Sequence, residues 1–132
     1  MSGYVTDTHA LLWYLFTPEK LESTALSIFD GIGSDDPLVV PAVVVAEMAM
    51  VVERRRIGAT VNELIEVIKS LRREGVCVFP PLTADDILAS SSIVGIPDIF
   101  DRLIVYEAQK RDAVLITKDE AIISSALVST TW

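Results

Sequence analysis

Short apolar runs alternate along this chain with longer stretches of helical periodicity, and that alternation leaves few architectures open. Strands are expected at 3–6, 38–40, 76–79 and 113–117. A helix is expected over 8–16, with Asp7 placed to cap it, and a second starts at Pro18 and runs to about 29. Gly31, Gly33, Asp35, Asp36 and Pro37 make a loop. Further helices are expected at 42–56, ended by Gly58, and at 61–73, between Thr60 and Gly75. Three more are expected: 84–92 after the acidic start Thr83-Ala84-Asp85-Asp86, 98–111, and 120–126 after Asp119. A short edge strand at 127–130 completes the set. Strands alternating with helices imply an α/β fold with a parallel sheet covered on both faces and right-handed crossovers. No internal repeat, low-complexity segment or linker interrupts the pattern, so one domain over 1–132 is expected.

Charge and composition narrow the function. The formal net charge is −8. A general electrostatic grip on nucleic acid needs a basic surface, so that mode is not expected. Local arginines and bound cations can still reverse the field at one site. Arg54, Arg55 and Arg56 form the one compact basic run. As a helix end it complements the dipole, with RNA or partner contact as the alternative role. The single cysteine, Cys77, rules out an intramolecular disulfide and a cysteine-rich zinc site, which fits a reducing cytoplasm. No basic region followed by an apolar stretch opens the chain, so no secretory leader is expected. The longest apolar run, 38–52, carries Pro41 and Glu47 and is shorter than the roughly 20 residues a bilayer requires. An apolar fraction of 51% would suit burial of some surface against a partner or a second copy.

Four acidic motifs fall where a strand gives way to a helix or just inside that helix. They are Val5-Thr6-Asp7-Thr8-His9, Val45-Ala46-Glu47-Met48, Asp98-Ile99-Phe100-Asp101-Arg102 and Ile116-Thr117-Lys118-Asp119-Glu120. In an open α/β sheet the carboxyl ends of the strands converge on one crevice. Carboxylates gathered there repel one another unless a cation joins them, and an all-oxygen set suits Mg²⁺ or Mn²⁺. The pattern points to metal-dependent chemistry on phosphate esters. Each acid also has a structural role open to it. Asp7, Asp98 and Asp119 are natural helix caps. Glu47 sits among apolar neighbours in what reads as a buried helix, so it is either metal-linked or paired with a cation such as Arg102. Asp101 shares a helix face with Asp98 and is the better candidate ligand of the two. Thr117 adds a hydroxyl beside Asp119, Lys118 is expected to be solvated, and His9, the only histidine, stays unassigned.

These motifs resemble those of the PIN-domain proteins of the VapC toxin type, over essentially the whole chain. Asp7-Thr8-His9 with Leu12 and Trp13 is similar to one form of the opening motif. Glu47 in its apolar helix, Asp98-Ile99-Phe100-Asp101-Arg102-Leu103-Ile104, and Ile116-Thr117-Lys118-Asp119 are similar to the three that follow. The resemblance implies a three-layer PIN-like fold with a central parallel sheet of about five strands. It implies Asp7, Glu47, Asp101 and Asp119 as the catalytic and metal-binding acids. Thr8, Asp98, Arg102 and Thr117 are supporting residues beside them. It further implies Mg²⁺- or Mn²⁺-dependent cleavage of RNA leaving a 3′-hydroxyl and a 5′-phosphate, a small cognate antitoxin as partner, a homodimer, and a cytoplasmic location with no membrane association. Ile99 stands where many relatives have proline, Thr6 replaces a usually apolar residue, and Glu120 competes with Asp119 as the fourth acid.

Three rival readings compete with that resemblance. A phospho-acceptor receiver domain needs an adjacent acidic pair after its first strand and an acceptor aspartate after its third. Here the first strand offers only Asp7 and the third ends in Phe79-Pro80-Pro81. A non-catalytic binding module on the same fold has no need to gather repelling carboxylates. A DNA-directed nuclease on this fold remains open, although no basic stripe is evident.

Overall fold

The computed structural model describes residues 3–132. Five strands form one parallel sheet: β1 (Tyr4–Thr6), β2 (Leu38–Val39), β3 (Cys77–Val78), β4 (Val114–Ile116) and β5 (Thr130–Thr131). Their order is β3-β2-β1-β4-β5. Val5 is in register with Val39 on one side and Leu115 on the other. The chain therefore winds outward from β1 through β2 to β3, then returns to place β4 on the other flank of β1. The reversal falls between β1 and β4, and an open α/β sheet makes its crevice at such a point.

The helices are α1 (Thr8–Phe16), α2 (Ser23–Asp30), α3 (Ala42–Glu53), α4 (Val61–Glu74), α5 (Ala84–Ser90), α6 (Ile99–Arg111) and α7 (Glu120–Ser125). The central strands are buried on both faces, as a parallel sheet demands: Val5, Leu38, Leu115 and Ile116 are fully enclosed. Helix α3 packs on α1, α4 and α6, and α5 packs on α6. Local chemistry sets the boundaries. In α4, the Glu63 amide donates to the Thr60 hydroxyl (3.1 Å), the Thr60 amide donates to the Glu63 carboxylate (3.2 Å), and Gly75 ends the helix at φ +73°. Thr83 and Asp86 form the same reciprocal cap on α5. Among the described residues no helix is long and apolar enough to cross a membrane.

Four expectations need correction. The helix expected from Pro18 to 29 is two pieces, a 3-10 turn (Pro18–Lys20) and α2. Leu21 is extended between them (φ −83°, ψ 143°) and buried, so its side chain reaches the core at the cost of helical continuity. Helix α3 stops at Glu53 instead of running to about Arg56, because Arg55 adopts a left-handed conformation (φ 56°). The last strand lies at Thr130–Thr131, later than expected, after Ala126 caps α7 in a left-handed conformation (φ 55°). Finally, α3 is not apolar-buried all round: Ala46 is exposed and Glu47 only half-buried, so one stripe opens to solvent.

Candidate active site

Asp7 directly follows β1 at the reversal point. Its amide donates to the Ile116 carbonyl on β4 (3.2 Å), and its Oδ1 accepts from the Ala10 amide (2.8 Å) as the N-cap of α1. Helix capping thus fixes the carboxylate beside the sheet. Thr117, one residue past β4 and fully buried, bonds the Asp7 carboxylate through its hydroxyl. The same hydroxyl accepts from the Asp119 amide (3.1 Å), and Asp119 Oδ1 caps α7 by accepting from the Ile122 amide (3.0 Å). Asp98 caps α6 through the Phe100 amide (2.8 Å) and puts Asp101 in the first turn. Glu47 comes from the open stripe of α3, and the buried Thr8 hydroxyl donates to its Oε1 at 2.6 Å. That is a short, charge-assisted bond.

These side chains line one crevice of about 470 Å³, formed by Asp7, Thr8, Glu47, Asp98, Asp101 and Asp119 with His9, Trp13, Ile104 and Lys118. Asp101 feels the crowding most. Burial first, then the charges of Asp119, Asp98, Glu47 and Asp7, push its carboxyl up to about 7. Burial pushes Asp7 up to about 6, against the bonds from Thr117 and Ala10 and the nearby His9, with Asp119 adding to the rise. Burial also raises Glu47; Thr8 opposes this, Asp98 adds to it and His9 opposes it. Acidic groups perturbed by burial and by one another in a cleft mark a functional site.

The donor set fits a hard divalent cation, since it offers several carboxylate oxygens and hydroxyls with no competing thiol. Among the described residues no three such groups stand close enough to cage an ion as they are. The fit therefore rests on their mutual repulsion, which a cation would relieve, and not on ligand distances.

Arg102 does not pair with Glu47. Its Nη1 donates to the carbonyls of Ile96 and Pro97, both at 2.9 Å, and its buried Nε has no partner among the described residues. It ties down the loop before α6. Glu120 is exposed and outside the crevice, which leaves Asp119 as the fourth acid facing it. Thr117 stands behind the crevice, touching it only through Asp7 and Asp119.

Lys118 is exposed, as expected, but it is not free of neighbours. Its Nζ lies 4.5 Å from the centroid of the Trp13 ring and 5.5 Å from that of Trp132. The two indoles meet edge-on at 5.6 Å, and His9 meets Trp13 at 6.0 Å. This aromatic wall, closed by the C-terminal tryptophan, had no local signal beyond the tryptophans themselves.

No curated protein matches this chain significantly. Several solved structures share its fold. VapBC2 from Rickettsia felis, bound to a DNA fragment from its promoter, gives a TM-score of 0.71 at 11% identity, covering 98% of this chain and 97% of that one. FitAcB from Neisseria gonorrhoeae gives 0.62 at 14% identity, with 98% and 96% covered. VapBC-1 from nontypeable Haemophilus influenzae gives 0.61 at 16% identity, again with 98% and 96% covered. At such identities the likeness is one of fold. The PIN domain family model matches residues 4–126, nearly the whole length, and on that match the chain belongs to the PIN-domain family.

Proposed function

We propose that this chain is a divalent-metal-dependent endoribonuclease of 132 residues in one domain, and the toxin of a VapBC-type toxin–antitoxin pair in the cytoplasm. Proteins of the PIN family are generally nucleases. One observation carries the proposal furthest: five carboxylates from the end of β1, α3, the start of α6 and the start of α7 face one crevice, where burial and then the other four charges push Asp101 up to about 7. A fold with no use for that repulsion has no reason to retain it.

Asp7, Glu47, Asp101 and Asp119 would hold Mg²⁺ or Mn²⁺. Bound there, the ion would supply an activated water and offset the charge growing on a phosphodiester. The protein's own part is positioning. Thr8 orients Glu47, Thr117 orients Asp7 and the backbone of Asp119, and Asp98 sets the first turn of α6 so that Asp101 faces the crevice. Lys118, held on Trp13, is the crevice's ammonium and suits a phosphate oxygen. The choice of RNA and of a small antitoxin partner rests on the motif resemblance. The VapBC and FitAcB structures of the same fold support the antitoxin partner.

The test is to incubate the purified chain with total cellular RNA and Mn²⁺ or Mg²⁺ and to map new ends by sequencing. EDTA and Asp101→Asn serve as controls. New 5′-phosphate ends that vanish in both controls are expected. Their absence, in material shown to be free of bound antitoxin, would overturn the proposal in favour of a DNA-directed or non-catalytic protein.

A further inference from the structure

A second cleft adjoins the acidic crevice and carries the opposite charge. It has a volume of about 350 Å³, within the range of small-ligand pockets. Lys20, Arg54 and Arg56 line it, drawn from the 3-10 turn, the C-cap of α3 and the loop beyond. None of the three pairs with a carboxylate among the described residues, in a chain whose net charge is −8. Unpaired cations facing a cavity in so acidic a protein are where an anion would bind.

The backbone that presents them is unusual. The Arg56 amide donates to the Val51 carbonyl (3.1 Å) and the Arg55 amide to the Val52 carbonyl (3.0 Å). That is a Schellman end to α3, with Arg55 in the left-handed position that glycine normally fills. A non-glycine residue there costs on the order of 1 kcal/mol. The reversal turns Arg54 and Arg56 into the cleft and leaves Arg55 outside it.

The two cavities share a wall of Thr8, His9, Trp13 and Glu47. Trp13 holds one ammonium toward each: Lys118 Nζ lies 4.5 Å from its centroid and lines the acidic crevice, while Lys20 Nζ lies 5.5 Å away and lines the basic cleft. We propose that the basic cleft is a nucleotide subsite, in which Lys20, Arg54 and Arg56 grip an RNA phosphate flanking the one cut in the crevice. This rests on the function proposed above. Arginine's planar fork matches phosphate oxygens, and contiguity with the crevice places the flanking phosphate where the carboxylates no longer repel it.

The test separates binding from cleavage. A short fluorescein-labelled single-stranded RNA of mixed sequence is titrated with the full chain in EDTA and read by anisotropy. The variant is Arg54→Gln/Arg56→Gln. The control is Lys69→Gln/Arg73→Gln, which removes the same charge from α4, outside the cleft lining. Arg54→Gln/Arg56→Gln should weaken binding about tenfold. Its slope of log affinity against log salt should shrink by up to about 0.7, the share of one phosphate contact on a single strand. The control variant should keep wild-type affinity apart from a small uniform loss. With Mn²⁺ present, KM for RNA should rise in the cleft variant far more than kcat falls. Wild-type chain that fails to bind RNA, or a cleft variant no weaker than the control, overturns the subsite. Binding that depends on the cleft without any cleavage would keep the subsite and sink the proposed nuclease. A cleft variant that binds RNA normally but loses purified antitoxin would assign the cleft to a protein partner and overturn the RNA subsite.

Discussion

Helix α6 treats its two ends in opposite ways. At the N-terminal end Asp98 and Asp101 face other carboxylates, and no cation is paired with them among the described residues. At the C-terminal end Glu107 is removed from water more fully, at 7% exposure, yet Lys110 and Arg111 each lie 3.3 Å from its Oε2. Lys110 also reaches Asp86 at 3.2 Å. Burial pulls the Lys110 ammonium down, but Asp86 and Glu107 outweigh it and hold it up, and Asp86 is lowered by its bonds to Thr83 and Lys110. One end is a network in which each acid has a cation beside it. The other is a gathering of like charges that the fold alone does not resolve. A buried carboxylate on its own therefore says little about function; its neighbours decide.

The sharpest way to break that comparison is to neutralise one acid at each end. Asp101→Asn should lower metal-dependent RNA cleavage by about a thousandfold or more, since its charge is needed only where phosphate is cut. Glu107→Gln should keep cleavage within about threefold of wild type. Equal losses in the two variants, measured as initial rates on one RNA, would mean that the crevice has no privileged chemistry.

Thr8→Val tests how the crevice is held. It deletes the 2.6 Å bond to Glu47 and nearly preserves volume. Removing such an outer partner typically lowers metal affinity by about 10–100-fold. Mn²⁺ titrated by calorimetry should show a loss of that size. An unchanged affinity would place Glu47 outside the metal's reach.

Proton competition gives the next effect. Asp7 and Asp101, pushed up to about 6 and about 7, hold protons that a cation must displace. At limiting Mn²⁺, cleavage should therefore climb as pH rises through this window and level off above it. More Mn²⁺ should move the rise to lower pH. A flat profile at limiting metal would contradict the crowding described for the crevice.

Much of this was legible from residue order, and the exceptions have one physical cause. Asp7, Asp98 and Asp119 announced themselves as caps because a cap needs only its own next turn. The parallel sheet followed from strands and helices in alternation. Glu47 stood out against apolar neighbours. What stayed hidden depends on contacts between distant positions. The Thr8–Glu47 bond joins residues 39 apart. Trp132 meets Trp13 and Lys118 only because β5 pairs beside β4. Arg102 carried no sign that loop carbonyls, and not a carboxylate, would claim it. The early end of α3 was equally silent, because an arginine occupies the left-handed position where glycine would have given a signal. Glu107 and its two cations drew no attention in the sequence either, since i,i+3 and i,i+4 charges are common on exposed helix faces.

The smallest expected effect is on stability, and it runs in opposite directions at the two ends of α6. Asp101 titrates near 3.8 when unperturbed and is raised to about 7 in the fold. Between those values the folded chain keeps a proton that the unfolded chain releases. Stability therefore falls as pH rises through the window, and the penalty is complete above about 7 and absent below about 4. In EDTA at about pH 8, Asp101→Asn should stabilise the protein by about 1–2 kcal/mol, a figure already discounted for the half-exposed position. Glu107→Gln should instead destabilise it, by about 1 kcal/mol or less, because Lys110 and Arg111 lose their shared partner but can still reach water. Denaturant melts of both variants at about pH 8 and about pH 4 give the comparison directly. The Asp101→Asn gain should disappear at the lower pH. A gain that persisted there would trace to packing and not to charge, and the crevice would then lose its standing as the unresolved end of the helix.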